Sequence, residues 1–504
     1  MLNGPARPLA VLMRMLLLTC VSAAAAPPTL PETVRAALLR AELPEDAIGV
    51  VVLPLAAGKP LWAHRANVPM QPASTIKLLT SAVALDRLGP HHRGYTELRS
   101  AAPQQGDLLQ GDLVLRGGAD PELGLPQLWA LLAELRWAGV RELGGDIILD
   151  RQLFRPARSD IGVPPFDQAP QFQYNMIPDA LQLAGNLVTL ELAADTASLR
   201  ARLLPPLDQT ELVNSMTLID GACQDWDEST PWQTPLTTRQ GPLVRIELRG
   251  NFPRGCTKRA ELQLMDRNDL AERLLRHAWA SLGGSWSGQV REGPAPEGTR
   301  LLARREARPW GEVLRHMNKT SDNPETRLLF LSLGLAGMAS EPNKTTAELA
   351  AREVRRWFDE HRIPTAGLVL DNGSGLSRSE RITPMQLARV IQQALRGRYA
   401  PELLMSLPLA GVDGQRFKES LTEGRARLKP GGLRNVGSLA GVVEDADGKP
   451  WVMVAIVNHE QPRRGRPVID ALVEWIALSS GRPRTFHPTA PPGHHRQHRP
   501  TGAP

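Results

Sequence analysis

Hydrophobic and polar positions along the chain fall into three textures. Residues 47–70, "AIGVVVLPLAAGKPLWAHRANVPM", hold two β-rich apolar runs either side of Gly58 and predict a hairpin. Residues 74–90, "STIKLLTSAVALDRLGP", predict a helix begun by Ser or Thr and stopped by Gly89-Pro90. That helix is apolar on most faces, so it belongs inside a domain. From about 95 to 290 the pattern changes to short strand-like runs and turns such as "GDLVLRGGADPEL" and "NLVTLELAAD", read as a mostly β insertion of about two subdomains. Long helical patterns then return at "DLAERLLRHAWASL", "WGEVLRHMN", "PETRLLFLSLGLAGM" and "TAELAAREVRRWFDEH". The pattern closes with two strand-like runs around the turn "DADGK" and a helix near "VIDALVEWIALSS".

The two ends of the chain read differently. Arg7 and Arg14, an apolar run and the small residues before Pro27 have the form of a secretory signal peptide, 1–26, cut near Ala24 to Ala26. A lipoprotein reading through Cys20 conflicts with Thr19, where a smaller residue is usual. Residues 483–504 are rich in Pro and His, with little apolar content, and predict a disordered tail whose His487, His494, His495 and His498 lack the ordered geometry of a metal site. Removing the signal leaves Cys223 and Cys256, which in an oxidising compartment form one disulfide or else stay as separate buried thiols.

With 504 residues, two or three domains are expected. The net charge of +6 is carried by arginine, with only eight lysines, and no basic block is interleaved with aromatics, which excludes a nucleic-acid partner. Because arginine supplies the surface cations, Lys77 and Lys429 stand out as candidates for proton chemistry.

Three short patterns surround those lysines: Ser74-x-x-Lys77, Ser321-x-Asn323 and Lys429-x-Gly431. Ser74 at a helix start lies beside free backbone N–H groups and the positive end of the helix dipole, which favour an alkoxide. Lys77, three residues on, shares its face, and burial would leave a neutral amine able to take the serine proton. The plainer readings are an N-cap for Ser74 and an Asx-type cap ahead of Pro324 for the second pattern.

Together with "QPASTIKLLTSAVALDRLGP", "LVLRGGADPEL", "NMIPDALQLAGNLV", "NKTSDN", "LDNGSGLSR" and "LPLAGVDGQ", these patterns resemble the D-alanyl-D-alanine carboxypeptidase/endopeptidase family, the class C low-molecular-mass penicillin-binding proteins. The resemblance implies an α/β fold, a transpeptidase/β-lactamase-like domain with an antiparallel sheet between helices. That domain would be built from 27–94 and 291–482 and interrupted by inserted domains over 95–290. It implies cleavage of D-Ala-D-Ala, and of D-Ala to diaminopimelate bonds, in peptidoglycan stem peptides through an acyl-serine. β-Lactams would act as covalent inhibitors. No cofactor or metal is implied, membrane contact is at most peripheral, and the location is periplasmic. Ser74 would be the nucleophile, Lys77 its base, Ser321 the relay to the leaving amine and Asn323 the clamp on the acyl amide. Lys429 would be the electrostatic anchor, Gly431 would complete the third motif, and the N–H groups of Ser74 and Gly432 would form the oxyanion hole.

One departure from the family pattern is Pro430, where a threonine would help hold the substrate's terminal carboxylate; proline lacks both hydroxyl and N–H. The expectation is altered or weakened activity and a distorted edge strand, with Arg434 as a substitute carboxylate ligand. A second departure, Ala119 in "GGADPEL", suggests a turn. The turn cluster at 370–378 reads equally as a tight loop or an active-site wall, with no catalytic role for Ser374 or Ser377. Competing functions are a catalytically silent peptidoglycan-binding homologue and, further off, a β-lactamase.

Overall fold

The computed structural model describes residues 31–56, 58–223 and 232–479. The expected signal peptide, Cys20 and the His-rich tail lie outside them. Among the described residues no helix is long and apolar enough to cross a membrane.

An antiparallel sheet of five strands organises the first domain, in the order Ala426–Leu433, Val436–Glu444, Pro450–Asn458, Ile48–Pro54, Trp62–His64. The expected hairpins at both ends of the sequence are therefore neighbours in one sheet. Its central strands Ile48–Pro54 and Pro450–Asn458 are buried throughout except at the two ends of the latter, which explains their near-continuous apolar runs: alternate residues face different cores. Val50, Val52, Met453 and Ala455 pack against the chain-terminal helices Glu32–Arg40 and Arg466–Leu478. Val51, Val454 and Ile456 face the second core, with the helices Lys77–Leu88, Asn323–Leu333, Thr346–Glu360 and Pro384–Arg396. This α/β layering with helices on both faces is the expected fold class.

The insertion has its own continuous apolar core. Its main sheet orders Val290–Glu292, Ile147–Asp150, Leu113–Gly118, Tyr95–Ser100 and Arg300–Glu306. Arg300–Glu306 pairs antiparallel with Tyr95–Ser100 in that sheet. The insertion also contains two helices, Leu125–Trp137 and Arg267–Ser281, so it is less purely β than its texture suggests. The first is legible in hindsight: Leu128, Leu131, Leu132 and Leu135 fall at helical spacing and are buried. Cys223 and Cys256 form the disulfide. Ala119 turns with φ 60°, in the left-handed region that favours glycine, and its N–H donates to the Ala180 carbonyl.

A buried charge cluster ties the long loop of 151–182 to the helix Arg267–Ser281 of the insertion. Asp179, fully buried, lies 2.9 Å from Arg151 Nε and also pairs with Arg267, both arginines being nearly buried. The Arg151 Nε contact is an ion pair off the hydrogen-bonding direction. Removing the shared anion would leave two guanidinium groups without their main counter-charge. Asp179→Ala should destabilise the fold by about 3–5 kcal/mol, the usual cost of breaking a buried pair, measured by urea unfolding; a loss below about 1 kcal/mol would show the surface-like behaviour of a solvated pair.

Candidate active site

Ser74 sits in a single turn of 3-10 helix, Ala73–Ile76, that runs directly into the helix Lys77–Leu88. Ala73 before it has φ 47°, an L-residue held in the left-handed region inside a fully buried position. Tertiary contacts hold that turn. The Pro72 carbonyl accepts from Thr75 Oγ1 and from Ser438 Oγ, both at 2.7 Å. Gln71 and Asn458 exchange two hydrogen bonds, fixing the approach to the turn on the end of a central strand. Ser74 is half-buried while its neighbours Ala73, Thr75, Ile76 and Lys77 are buried.

Lys77 is fully buried. Its Nζ lies 3.2 Å from Ser74 Oγ, 2.6 Å from Asn323 Oδ1 and 2.5 Å from the Ser374 carbonyl. Burial, reinforced by the positive charge of Lys429, holds its pKa well below that of a free lysine; Asp322 and Glu380 pull the other way. A neutral amine has two N–H donors and one lone pair. With the donors satisfied by Asn323 and Ser374, the lone pair is left for the Ser74 hydroxyl.

Ser321 ends the helix Trp310–Thr320 in the left-handed conformation, φ 64°. Asp322 then caps the helix Asn323–Leu333, accepting from the Glu325 N–H at 2.7 Å. The expected Asx-type cap is real, and it also brings Asn323 to Lys77 and Ser321 to Lys429. Lys429 Nζ donates to Ser321 Oγ at 2.9 Å. Asn323 Nδ2 donates to the Tyr174 carbonyl at 3.0 Å, and Gln173 donates to Asp322, so the insertion touches the site directly. The Tyr174 and Ser374 carbonyls escape motif reading because backbone groups carry no side-chain signature, and the Gln173 contact escapes it because it joins residues far apart in sequence. For Ser374 the glycine-rich turn was the one available signal.

Lys429, Pro430, Gly431 and Gly432 lie on Ala426–Leu433, the edge strand. Its pairing with Val436–Glu444 runs without a register shift, so the distortion expected of Pro430 does not occur. Direction explains this. The Leu428 N–H donates away from the sheet, to the Pro408 carbonyl at 2.9 Å. By the two-residue repeat, the backbone nitrogens of 430 and 432 face the same open edge, and proline there removes no ladder bond. Gly431 has a separate reason to be glycine: a Cβ would lie 2.4 Å from Ser438 Oγ and 2.9 Å from the Ser74 nitrogen. Pro430 is exposed, and Arg434 is exposed in the hairpin turn beyond.

Among the described residues, one His-carboxylate group, His316, Asp322 and Glu325, brings ligand atoms within 4.8 Å of one another. Asp322 is already a helix cap, and burial together with Asp322 pushes Glu325 up to about 9, a protonated acid poorly suited to holding a cation.

A half-buried serine with a buried amine beside it, on a helix beneath an antiparallel edge strand, has the layout of the serine transpeptidase and β-lactamase class. The sequence profile of the D-Ala-D-Ala carboxypeptidase 3 (S13) family matches residues 30–478, and the chain belongs to that family. It is 28% identical to a D-alanyl-D-alanine carboxypeptidase of an Actinomadura species over 452 residues, covering 86% of this chain and 81% of the relative. It is 24% identical to the D-alanyl-D-alanine carboxypeptidase DacB of Haemophilus influenzae over 440 residues, 83% of this chain and 87% of the relative. Penicillin-binding protein 4 of H. influenzae shares the fold, with TM-score 0.73 and 23% identity over 88% of this chain and 97% of that structure; a second structure of it holds a β-lactam, at TM-score 0.69 over 88% and 98%.

Burial holds Lys429 down to about 7, against about 10.4 for an unfolded lysine. Between those values the unfolded chain binds a proton that the folded chain does not, so stability rises with pH across the window, by about 1.4 kcal/mol per pH unit for this group. Below about pH 7 the slope vanishes. Lys429→Met should flatten the curve by that amount in urea unfolding between pH 7.5 and 9.5; an unchanged slope would mean that Lys429 keeps an ordinary pKa.

Proposed function

We propose that the chain is an exported D,D-carboxypeptidase of peptidoglycan stem peptides in which Ser74 is acylated with Lys77 as its base. The placement of Lys77 Nζ between Ser74, Asn323 and Ser374 carries the reading. Ser74 Oγ attacks the carbonyl of the penultimate D-Ala as its proton passes to the Lys77 lone pair. The N–H groups of Ser74 and Gly432 receive the oxyanion. Ser321, held by Lys429, relays a proton to the leaving D-Ala amine, and the C–N bond breaks to give the acyl-serine. Water then attacks the ester and returns the enzyme. Asn323 Nδ2 keeps a second hydrogen for the substrate's acyl amide, the first being given to Tyr174. Lys429, poised near neutrality, is drawn to its charged form by the substrate's carboxylate and anchors it. β-Lactams acylate Ser74 in the same way. The disulfide and the N-terminal pattern support a location outside the cytoplasm, in the periplasm.

Pro430 shapes the substrate preference. With no hydroxyl at the edge strand, the terminal carboxylate loses one partner, and cross-link cleavage, where no free terminal carboxylate need be held there, suffers less.

Fluorescent penicillin followed by peptide mass spectrometry tests the reading: a stable adduct on Ser74 is expected, and none in Ser74→Ala. An adduct that persists in that variant contradicts the nucleophile, and rapid release of opened drug points to a β-lactamase. Pro430→Thr should raise kcat/KM on a D-Ala-D-Ala pentapeptide about tenfold by restoring one hydrogen bond to a charged group; an unchanged value would remove Pro430 as the limiting feature.

A further inference from the structure

Glu380 is fully buried, and no arginine or lysine forms an ion pair with it among the described residues. Its carboxylate instead collects backbone N–H groups. Oε1 accepts from Asp371 at 3.3 Å, Asn372 at 3.0 Å and Gly373 at 2.7 Å, and Oε2 accepts from Gly375 at 3.0 Å. Burial, reinforced by Asp371, pushes the carboxyl's pKa up, and the backbone donors push it back; because all four partners donate, the geometry fits the ionised form, and a protonated acid would place its hydroxyl among donors. The folded loop docks on the Lys77 helix through successive carbonyls, Gly373 to Thr80 Oγ1 at 2.7 Å and Ser374 to Lys77 Nζ at 2.5 Å. Gly375, φ 89°, lies so close to the nucleophile turn that a Cβ would fall 2.1 Å from the Ala73 oxygen and 2.8 Å from the Ser74 nitrogen.

We propose that Glu380 is a positioning residue for the Lys77 amine: by gathering four N–H groups it folds 371–375 so that the Ser374 carbonyl holds Nζ against Ser74. The inference rests on the reading of Ser74 and Lys77 as the acylating pair. Glu380 acts through the loop and through its charge. The charged groups around Lys77 are Lys429 on the edge strand, Asp322 at the neighbouring helix cap, Glu380 on the loop and Arg327 on the helix Asn323–Leu333; Asp371 is the further charge beside Glu380. Glu380 and Asp322 are the two anions that favour the ammonium form of Lys77. Loss of the Glu380 charge therefore lowers the pH at which Lys77 becomes a free base.

The test is the pH dependence of penicillin acylation at Ser74, followed by stopped-flow and mass spectrometry in the full chain. Glu380→Gln keeps the size but places an NH2 against the Gly375 N–H and removes the charge. Acylation should fall at least about tenfold on the plateau, and the acid limb should move down by about half a pH unit or more. Glu380→Asp keeps the charge but is too short for all four donors, so the limb stays in place while the rate falls. A role confined to folding would lower the fraction of active protein without moving the limb, and that result overturns the proposal. If Glu380→Gln does not fold, Glu380→Asp decides: an acylation rate within about threefold of the parent overturns the proposal. An adduct on Ser74 in the parent with parent-like variants sinks the Glu380 role alone; no Ser74 adduct in the parent sinks the acylating pair and this inference with it.

Discussion

The site is organised around one amine buried without a counter-ion in contact. Taking a lysine out of water disfavours its charged form, and the chain spends three separate regions on giving Lys77 polar partners that a neutral amine can use. Ser74 comes from the turn before the helix, Asn323 from the start of a second helix, and the Ser374 carbonyl from a loop folded on Glu380. None of these partners is a carboxylate, which would restore the ammonium. The nearest anions act from a distance, and Lys429 opposes them.

The surrounding fold brings the edge strand up to that amine. The edge strand can approach Ser74 because residue 431 has no side chain, and the Pro72 carbonyl, accepting from Ser438, joins the second strand of the sheet to the turn that carries Ser74. The insertion contributes as well. Its loop over 172–176 supplies the Tyr174 carbonyl that orients the Asn323 amide, and the same stretch of chain is anchored by Asp179 between Arg151 and Arg267. A charge cluster in the insertion is thus linked by a few residues to a hydrogen bond at the site.

Much of this was legible in the sequence, for physical reasons that differ by element. The strands Ile48–Pro54 and Pro450–Asn458 announced themselves as apolar runs because both faces of the sheet are covered. The helix Lys77–Leu88 was legible because it is buried on nearly every side. The three motifs converge as their residue types suggested, Lys77 on Asn323 and Lys429 on Ser321. What stayed hidden depends on tertiary geometry. That Pro430 leaves the strand pairing intact follows from which way the edge strand faces, and that is set by pairing register rather than by local sequence. Glu380 has no motif, since its partners are backbone N–H groups that any residue could supply. The helix Leu125–Trp137 was hidden by the strand-like texture on either side.

The central claim is that Lys77 is a neutral amine in the resting enzyme, and its ionisation can be read directly. Lysine labelled with 13C at Cε, with the Lys77 signal assigned through Lys77→Arg, should titrate far below the 10.5 of a free side chain, leaving the amine unprotonated at the pH where acylation of Ser74 reaches its plateau. A Lys77 signal that titrates at or above 10.5, with the amine charged throughout the active range, would contradict the account.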